Sequence, residues 1–188
     1  MHTQRTDWQR VRRIAYAVRD WSERHARRAR GMDFHRSDDL TGMCAYASTV
    51  LLACLQRLGV EGAVLVANDE HAHLRVSSKI IDVTATQFRS SDDIQPRVEI
   101  STLPRMKARY ARDPEAWNAK EIYRTPDDVF EALNPAAENG FCEGQYWRTR
   151  SAMMRAIEQA LQFCAGRGLV QADRPDEQKA ILAVRKAA

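Results

Sequence analysis

An uninterrupted apolar stretch in the first third of the chain constrains the fold more than any other feature. Almost every residue from Met43 to Leu55 is apolar or small, no proline interrupts the stretch, and Gly59 follows it. A helix that is hydrophobic on nearly all sides is buried, and glycine is common just beyond a helix end. The sequence therefore predicts a central, buried helix from about Thr41 to Leu58, with Thr41 as its N-cap.

Strand patterns follow the central helix, and helical patterns surround both. Residues 62–67 form a short apolar run, and residues 71–76 and 79–84 flank Ser77-Ser78 in a pattern typical of a β-hairpin. A weaker strand is predicted for residues 97–101. Further helices are predicted for residues 7–29, 125–133, 144–165 and 175–184. The charged residues 104–124 fit no element and suggest a flap or a substrate-facing loop.

These elements predict a single α+β domain over residues 1–188, in which a central helix packs against a small antiparallel sheet. Its predicted parts are an N-terminal helix in residues 1–31, a core in residues 38–103 and a mostly helical C-terminal extension in residues 104–188. A chain of 188 residues suits one domain with additions better than two full domains.

Composition gives indications of the cellular location of the chain. No apolar run is long enough to span a bilayer, and no signal peptide is recognisable. The four cysteines form no CxxC pair, which is typical of reduced thiols in a cytoplasmic protein. Secretion by a route other than Sec, as an effector or toxin, would leave no mark here. We expect no membrane association, and the sequence does not define the oligomeric state.

Charge is distributed unevenly, because ten arginines lie within the first forty residues while the net charge is only +4. Such a cluster is compatible with a non-catalytic module that binds nucleic acid or another acidic partner. Interspersed acidic residues favour a solvated helix face instead.

A thiol, two imidazoles and a carboxylate carry the candidate chemistry. Cys44 falls near the start of the central helix, where unpaired N–H groups and the helix dipole favour a thiolate and could hold an oxyanion. Gly42 would allow a substrate backbone to approach. In the hairpin, His71, His73 and Asp82 share one face. A turn at Ser77-Ser78 sets Asp82 across from His73, whereas a turn one residue earlier sets it across from His71. The pattern therefore does not decide which histidine is the base.

Three short motifs in this order resemble the transglutaminase-like branch of the papain-like cysteine hydrolases. They are Gly42-Met43-Cys44 at a helix start, His71-Ala72-His73-Leu74-Arg75-Val76, and Asp82-Val83-Thr84 on the next strand. The resemblance covers residues 38–90. Within it, residues 81–88 also resemble bacterial and phage proteins of this group. His73 departs from the pattern, because an aromatic residue is usual there.

The resemblance implies a papain-like/transglutaminase-like core and a Cys-His-Asp triad. Cys44 would be the nucleophile, His71 the base and Asp82 the group that orients it, with His73 as the alternative base. We expect hydrolysis of a peptide-like amide through a Cys44 thioester, as in a peptidase, amidase or deamidase, or else transfer of the acyl group to an amine. A peptide or protein substrate is expected, without a cofactor or metal.

Two alternatives concern single residues of this set. Gln87 either helps to position a substrate or begins a loop, and the pattern favours the loop. His71, His73 and Asp82 could also hold a metal ion, since two histidines and one carboxylate are a known ligand set. That chemistry does not need a cysteine at a helix start.

Overall fold

The computed structural model describes residues 6–29, 40, 42–88, 97–138, 147 and 149–169 of the chain. Within them it is an α+β fold with one five-stranded antiparallel sheet. The helices are α1 (Trp8–Ala29), α2 (Cys44–Arg57), α3 (Leu103–Arg109), α4 (Pro126–Glu138) and α5 (Arg150–Gly166). The strands are β1 (Ala63–Ala67), β2 (Ala72–Val76), β3 (Lys79–Asp82), β4 (Glu99–Thr102) and β5 (Glu121–Tyr123). Single 3-10 turns occupy Ala85–Phe88 and Pro114–Trp117.

The strands lie in the order β4-β3-β2-β1-β5, and all neighbours are antiparallel. The hairpin between β2 and β3 is confirmed, with Val76 paired to Lys79 and Leu74 to Ile81. Ser77 and Ser78 are therefore the two turn residues, and Ser77 adopts a positive φ of 53°. Two-residue hairpin turns need such a conformation because it matches the twist of the strands.

Both faces of the sheet are covered, each by its own hydrophobic cluster. Residues such as Leu74 and Ile81 face the main cluster, which contains the apolar sides of α1, α2 and α5. Ile80 faces a second cluster with Met106, Tyr110 and Trp117. Because side chains alternate across a strand, the hairpin face that carries the two histidines is buried under this second cluster.

The central helix is confirmed, but its predicted start at Thr41 is wrong. Helix α2 begins at Cys44 after the cap residue Met43, which makes no side-chain cap bond. Leu40 and Gly42 have φ values of 58° and 72°, in the left-handed region. A right-handed helix cannot include them, and the Met43 N–H instead closes a turn onto the Leu40 carbonyl at 2.9 Å. Cys44 is therefore the first helical residue.

Residues 104–124, predicted as a flap or loop, mostly form regular structure. They contribute most of α3, the second 3-10 turn and strand β5. Strand β5 pairs with β1 through Leu65 and Tyr123, so it is the fifth strand of the sheet. The segment predicted as a mostly helical extension thus includes an edge of the sheet as well as helices.

The other predicted elements fall close to observed ones. Helix α1, strand β1, strand β4 and helix α4 lie where the sequence placed them, with shifts of a few residues at their ends. Helix α5 begins at Arg150, after a Thr149 cap whose side chain accepts the Ala152 N–H. The helix predicted for residues 175–184 lies outside the described residues.

Candidate active site

Three elements bring the candidate residues together at one end of the sheet. Cys44 opens α2, His71 immediately precedes β2, and Asp82 ends β3. Helix α2 is held against β2 by the Ser48 hydroxyl, which donates to the Ala72 carbonyl at 3.1 Å. The start of a buried helix and the ends of two paired strands therefore meet at one point.

His71 and Asp82 form a buried hydrogen-bonded pair. The His71 Nε2 lies 2.6 Å from the Asp82 Oδ2, and both side chains have 0% exposure. The other carboxylate oxygen, Oδ1, accepts the Thr84 N–H at 2.6 Å and the Thr84 hydroxyl at 2.9 Å. With both oxygens bonded, the carboxylate is fixed, and it in turn fixes the plane of the imidazole.

The Cys44 thiol lies against this pair and is half-buried. Burial opposes its ionisation, but a hydrogen bond with His71, the charge of His71 and a hydrogen bond with the Ala72 backbone lower the pKa of the Cys44 thiol. A thiolate is the nucleophilic form of cysteine. Cys44 thus has the electrostatic surroundings of a reactive cysteine.

The imidazole is held in its charged form. Burial disfavours the imidazolium, but the Asp82 carboxylate and the contact with Cys44 outweigh it and raise the pKa of His71 to about 10. Burial likewise disfavours the Asp82 carboxylate, yet the charge and hydrogen bond of His71 and the Thr84 N–H hold the pKa of Asp82 below its usual value. At neutral pH the site therefore contains an imidazolium bonded to the Asp82 carboxylate, and its positive charge favours ionisation of the neighbouring Cys44 thiol.

His73 lies beside this pair but has a different environment. Its ring centroid is 5.8 Å from that of His71. Its Nδ1 has no hydrogen-bond partner among the described residues. Burial, reinforced by the positive charge of His71, lowers the pKa of His73 to about 4. The strand register would set Asp82 opposite His73, yet the carboxylate bonds diagonally to His71. His73 is therefore a buried neutral ring.

Aromatic side chains cover the imidazole pair, and sequence reasoning missed them. Phe88 and Trp117 meet the His71 ring edge-to-face, at centroid distances of 4.8 Å and 5.0 Å. Trp117 also lies 5.6 Å from His73 and packs on Tyr110 at 5.2 Å. The available signal was Trp117 itself, a large aromatic residue in a charged segment, because tryptophan is highly buried on average.

Gln87 and Gly42 both border the site. The Gln87 amide nitrogen lies 3.1 Å from the His71 Nδ1 and 3.4 Å from the Thr84 hydroxyl. Gln87 belongs to a 3-10 turn that ends at Phe88, and its amide lies against the His71 ring. Gly42 is half-buried, and its positive φ gives glycine a conformational role just before Cys44.

The geometry gives no support to a metal site. Among the described residues, no group of three His, Cys, Asp or Glu side chains is arranged to hold a metal ion. A cavity of about 350 Å³ lies elsewhere, between α1 and α5, and contains none of the candidate residues. Its lining includes Trp21, His25 and Phe163.

Comparison with protein-family models, with curated proteins and with solved structures gave no match. Every helix in the described ranges is too short or too polar to cross a lipid bilayer. What the chain does must therefore be argued from the site itself.

Proposed function

We propose that the chain is a cysteine-dependent acyl-transfer enzyme with a papain-like or transglutaminase-like core. The observation that carries the proposal is that Asp82 bonds His71 at 2.6 Å while His71 in turn interacts with the Cys44 thiol and lowers its pKa. A base that contacts the nucleophile, and is itself oriented by a third group, is the signature of covalent catalysis. A core with no chemical role would have little reason to bury an imidazole and a carboxylate beside a thiol.

The reaction follows from the charges of the three groups. The Cys44 thiolate attacks the carbonyl carbon of a peptide-like amide, and the N–H groups of the first turn of α2 receive the developing oxyanion. His71 then donates its proton to the leaving amine, and a thioester remains on Cys44. Water, activated by the now neutral His71, attacks the thioester and releases the acid. Asp82 keeps the imidazole oriented throughout.

Hydrolysis is the favoured outcome, because no feature of the sequence identifies a site for an amine acceptor. The proposed activity is that of a peptidase, amidase or deamidase acting on a peptide or protein. Transfer of the acyl group to an amine follows the same steps, except that an amine instead of water attacks the Cys44 thioester. A thiolate at Cys44 also fits a reducing compartment such as the cytoplasm.

A basic binding module is the less favoured function. Among the α1 arginines, Arg19 is fully buried against Glu23, whereas Arg24 is exposed and lies over the Phe163 ring at 5.0 Å. The charge of Arg19 is therefore not available to an acidic partner, and interspersed acidic residues dilute the rest.

Alkylation with iodoacetamide at pH 7 tests the proposal. We expect rapid modification of Cys44 in the intact protein, and a rate at least about tenfold lower in His71→Ala, because the thiolate then loses its counter-charge. Cys54 and Cys164 are fully buried and should stay unmodified. Peptide mass spectrometry assigns the labelled cysteine.

His73→Ala is the matched control, since it removes the neighbouring imidazole while the hydrogen bond between His71 and Asp82 stays in place. Its rate should stay within about threefold of the intact protein. A p-nitrophenyl ester then tests acyl transfer, with a Cys44 thioester trapped at low pH as the expected product. Modification that is slow, spread over several cysteines or unaffected by His71→Ala would refute the proposal.

A further inference from the structure

Asn68 holds the backbone of His71 from both sides. It follows the last residue of β1, and its N–H donates to the His71 carbonyl at 3.0 Å. Its side-chain Oδ1 accepts the N–H groups of Glu70 at 2.9 Å and His71 at 2.8 Å. Both backbone polar groups of His71 are thus bonded to one residue. A short asparagine side chain suits this role because its carbonyl can accept N–H groups two and three residues ahead in a turn.

The nitrogen of the same side chain holds the turn that carries Trp117. The Asn68 Nδ2 donates to the carbonyls of Glu115 at 2.9 Å, Asn118 at 2.8 Å and Ala116 at 3.3 Å. An amide group has only two N–H bonds, so the longest of these contacts is shared. The carbonyls on both sides of Trp117 are therefore anchored to Asn68.

Trp117 depends on this anchor. Its side chain is 1% exposed, and its indole nitrogen has no hydrogen-bond partner in the part of the chain that the structure describes. The ring is held by packing, and its position is set by the backbone to which Asn68 is hydrogen-bonded. The ring in turn meets His71 at 5.0 Å and helps to exclude water from the His71–Asp82 pair. Excluding water strengthens the attraction between the two charges.

We infer that Asn68 is a positioning residue for the reaction, which holds the imidazole of His71 and the indole of Trp117 in contact with each other. The inference rests on the proposed function. Asparagine supplies an acceptor for His71 and donors for the Trp117 turn in one rigid group, which neither Asp nor Ala can do. Asn68 touches no reacting atom, and it acts only through these two rings.

Three variants in one turn separate the contributions. Asn68→Ala removes both halves of the carboxamide. Asn68→Asp keeps the acceptor oxygen but replaces the donors with an oxygen that faces carbonyls. Asp69→Ala is the control, because Asp69 is exposed in the same turn and forms an ion pair with Lys120. Each variant is measured for the pKa of His71 by NMR, for exchange of the Trp117 indole N–H, assigned by its loss in Trp117→Phe, and for Cys44 alkylation.

In Asn68→Ala we expect the pKa of His71 to fall by at least about one unit, because water weakens its attraction to Asp82. Indole exchange should become at least about tenfold faster and Cys44 alkylation about tenfold slower. Asn68→Asp should reproduce the faster exchange, since it lacks the donors. Asp69→Ala should stay within about twofold of the intact protein in exchange and alkylation.

Equal results for Asn68→Ala and Asp69→Ala would overturn the inference. If Asn68→Ala fails to fold, Asn68→Ser replaces it, and unfolding of all three Asn68 variants would also overturn the inference by making the residue a general structural one. Alkylation of Cys44 at the same rate in the intact protein and in His71→Ala would instead refute the proposed function. In that case the indole exchange and the pKa of His71 still report whether Asn68 holds the two rings.

Discussion

The two nitrogens of His71 have separate partners, and this division sets the chemistry of the site. Nε2 is bonded to Asp82, so in the proposed reaction Nδ1 is the nitrogen that would exchange a proton with Cys44. Gln87 also approaches Nδ1, at 3.1 Å. When Nδ1 carries a proton the Gln87 amide must present its oxygen, and when Nδ1 is bare the amide must present its nitrogen. By turning its amide group, Gln87 can therefore hydrogen-bond to His71 in either charge state.

His73 should make the protein sensitive to mild acid. Its pKa is about 4 in the folded chain, against an ordinary value of 6.5. The unfolded chain binds the proton first, so stability falls as the pH drops from 6.5 towards 4. This shift is linked to about 3 kcal/mol. His73→Phe keeps a ring and removes the titration. Urea unfolding at pH 7 and pH 4.5 should show about 2–3 kcal/mol less acid sensitivity in the variant.

Asp82 also makes stability depend on pH in acid, because its pKa is lowered in the folded chain and its contribution is lost as the pH falls. Asp82 is present in both proteins. The comparison therefore isolates His73. Equal losses of stability in the intact protein and in His73→Phe would show that the ring is hydrated or protonated in the folded state.

At the scale of elements, the hairpin and the start of α2 set the site geometry. The alternation of residues in β2 and β3 could be predicted from sequence, and it placed His71, His73 and Asp82 on one face. The strand pattern could not choose between the two imidazoles, because the choice depends on a diagonal contact at the strand end, and only the resemblance of the motif favoured His71. The start of α2 also escaped prediction, since nothing in the sequence required Leu40 to adopt a left-handed conformation.

The hairpin turn offers a stability test that should leave the site unchanged. Ser77 has a φ of 53°, which is unfavourable for any residue with a Cβ. Ser77→Gly removes this strain and should raise the free energy of unfolding by roughly 0.5–1 kcal/mol, after allowance for the greater freedom of glycine in the unfolded chain. Thermal unfolding measures the gain, and Cys44 alkylation should not change.

Ser78→Gly is the control for that variant, because the second turn residue has no positive φ. It should lower stability by a few tenths of a kcal/mol to about 1 kcal/mol. A gain in Ser78→Gly equal to that in Ser77→Gly would contradict the conformational explanation.

Across the whole molecule, a buried ionic cluster joins α1 to the strand end that carries Asp82. Arg19 is 0% exposed, bonds Glu23 at 2.7 Å and donates to the Val83 carbonyl. Glu23 also accepts from Arg97 at 2.6 Å. Arginine is rarely buried unless it is paired. A helix remote from the site in sequence thus fixes the residue that follows Asp82.

Arg19→Met should therefore be strongly destabilising. The variant removes one of the arginines that bond Glu23 and leaves the Val83 carbonyl without this donor. Loss of one member of a buried ion pair costs about 3–5 kcal/mol. Arg12→Met, at an exposed position of the same helix, should change stability by less than about 0.5 kcal/mol. Urea unfolding measures both. A loss below about 1 kcal/mol in Arg19→Met would show that the cluster contributes little to stability.

The sequence predicted the α+β class, most elements and the grouping of the thiol, imidazole and carboxylate. These features depend on local periodicity and on residues 44–82, where contacts are close in the chain. The covering role of Trp117 and the burial of Arg19 depend on contacts with distant segments. A single sequence does not show such pairings, because an arginine in an amphipathic helix has the same pattern whether it faces water or a carbonyl.

The position of Trp117 in the chain has a consequence for biosynthesis. A nascent polypeptide that has emerged from the ribosome only as far as residue 103 already contains Cys44, His71 and Asp82. It lacks the indole and the strand that completes the sheet. The charged groups would then stand in water, where their attraction is weak. We expect the sulfur, as the proposed nucleophile, to gain its full reactivity only after residues up to 123 have left the ribosome.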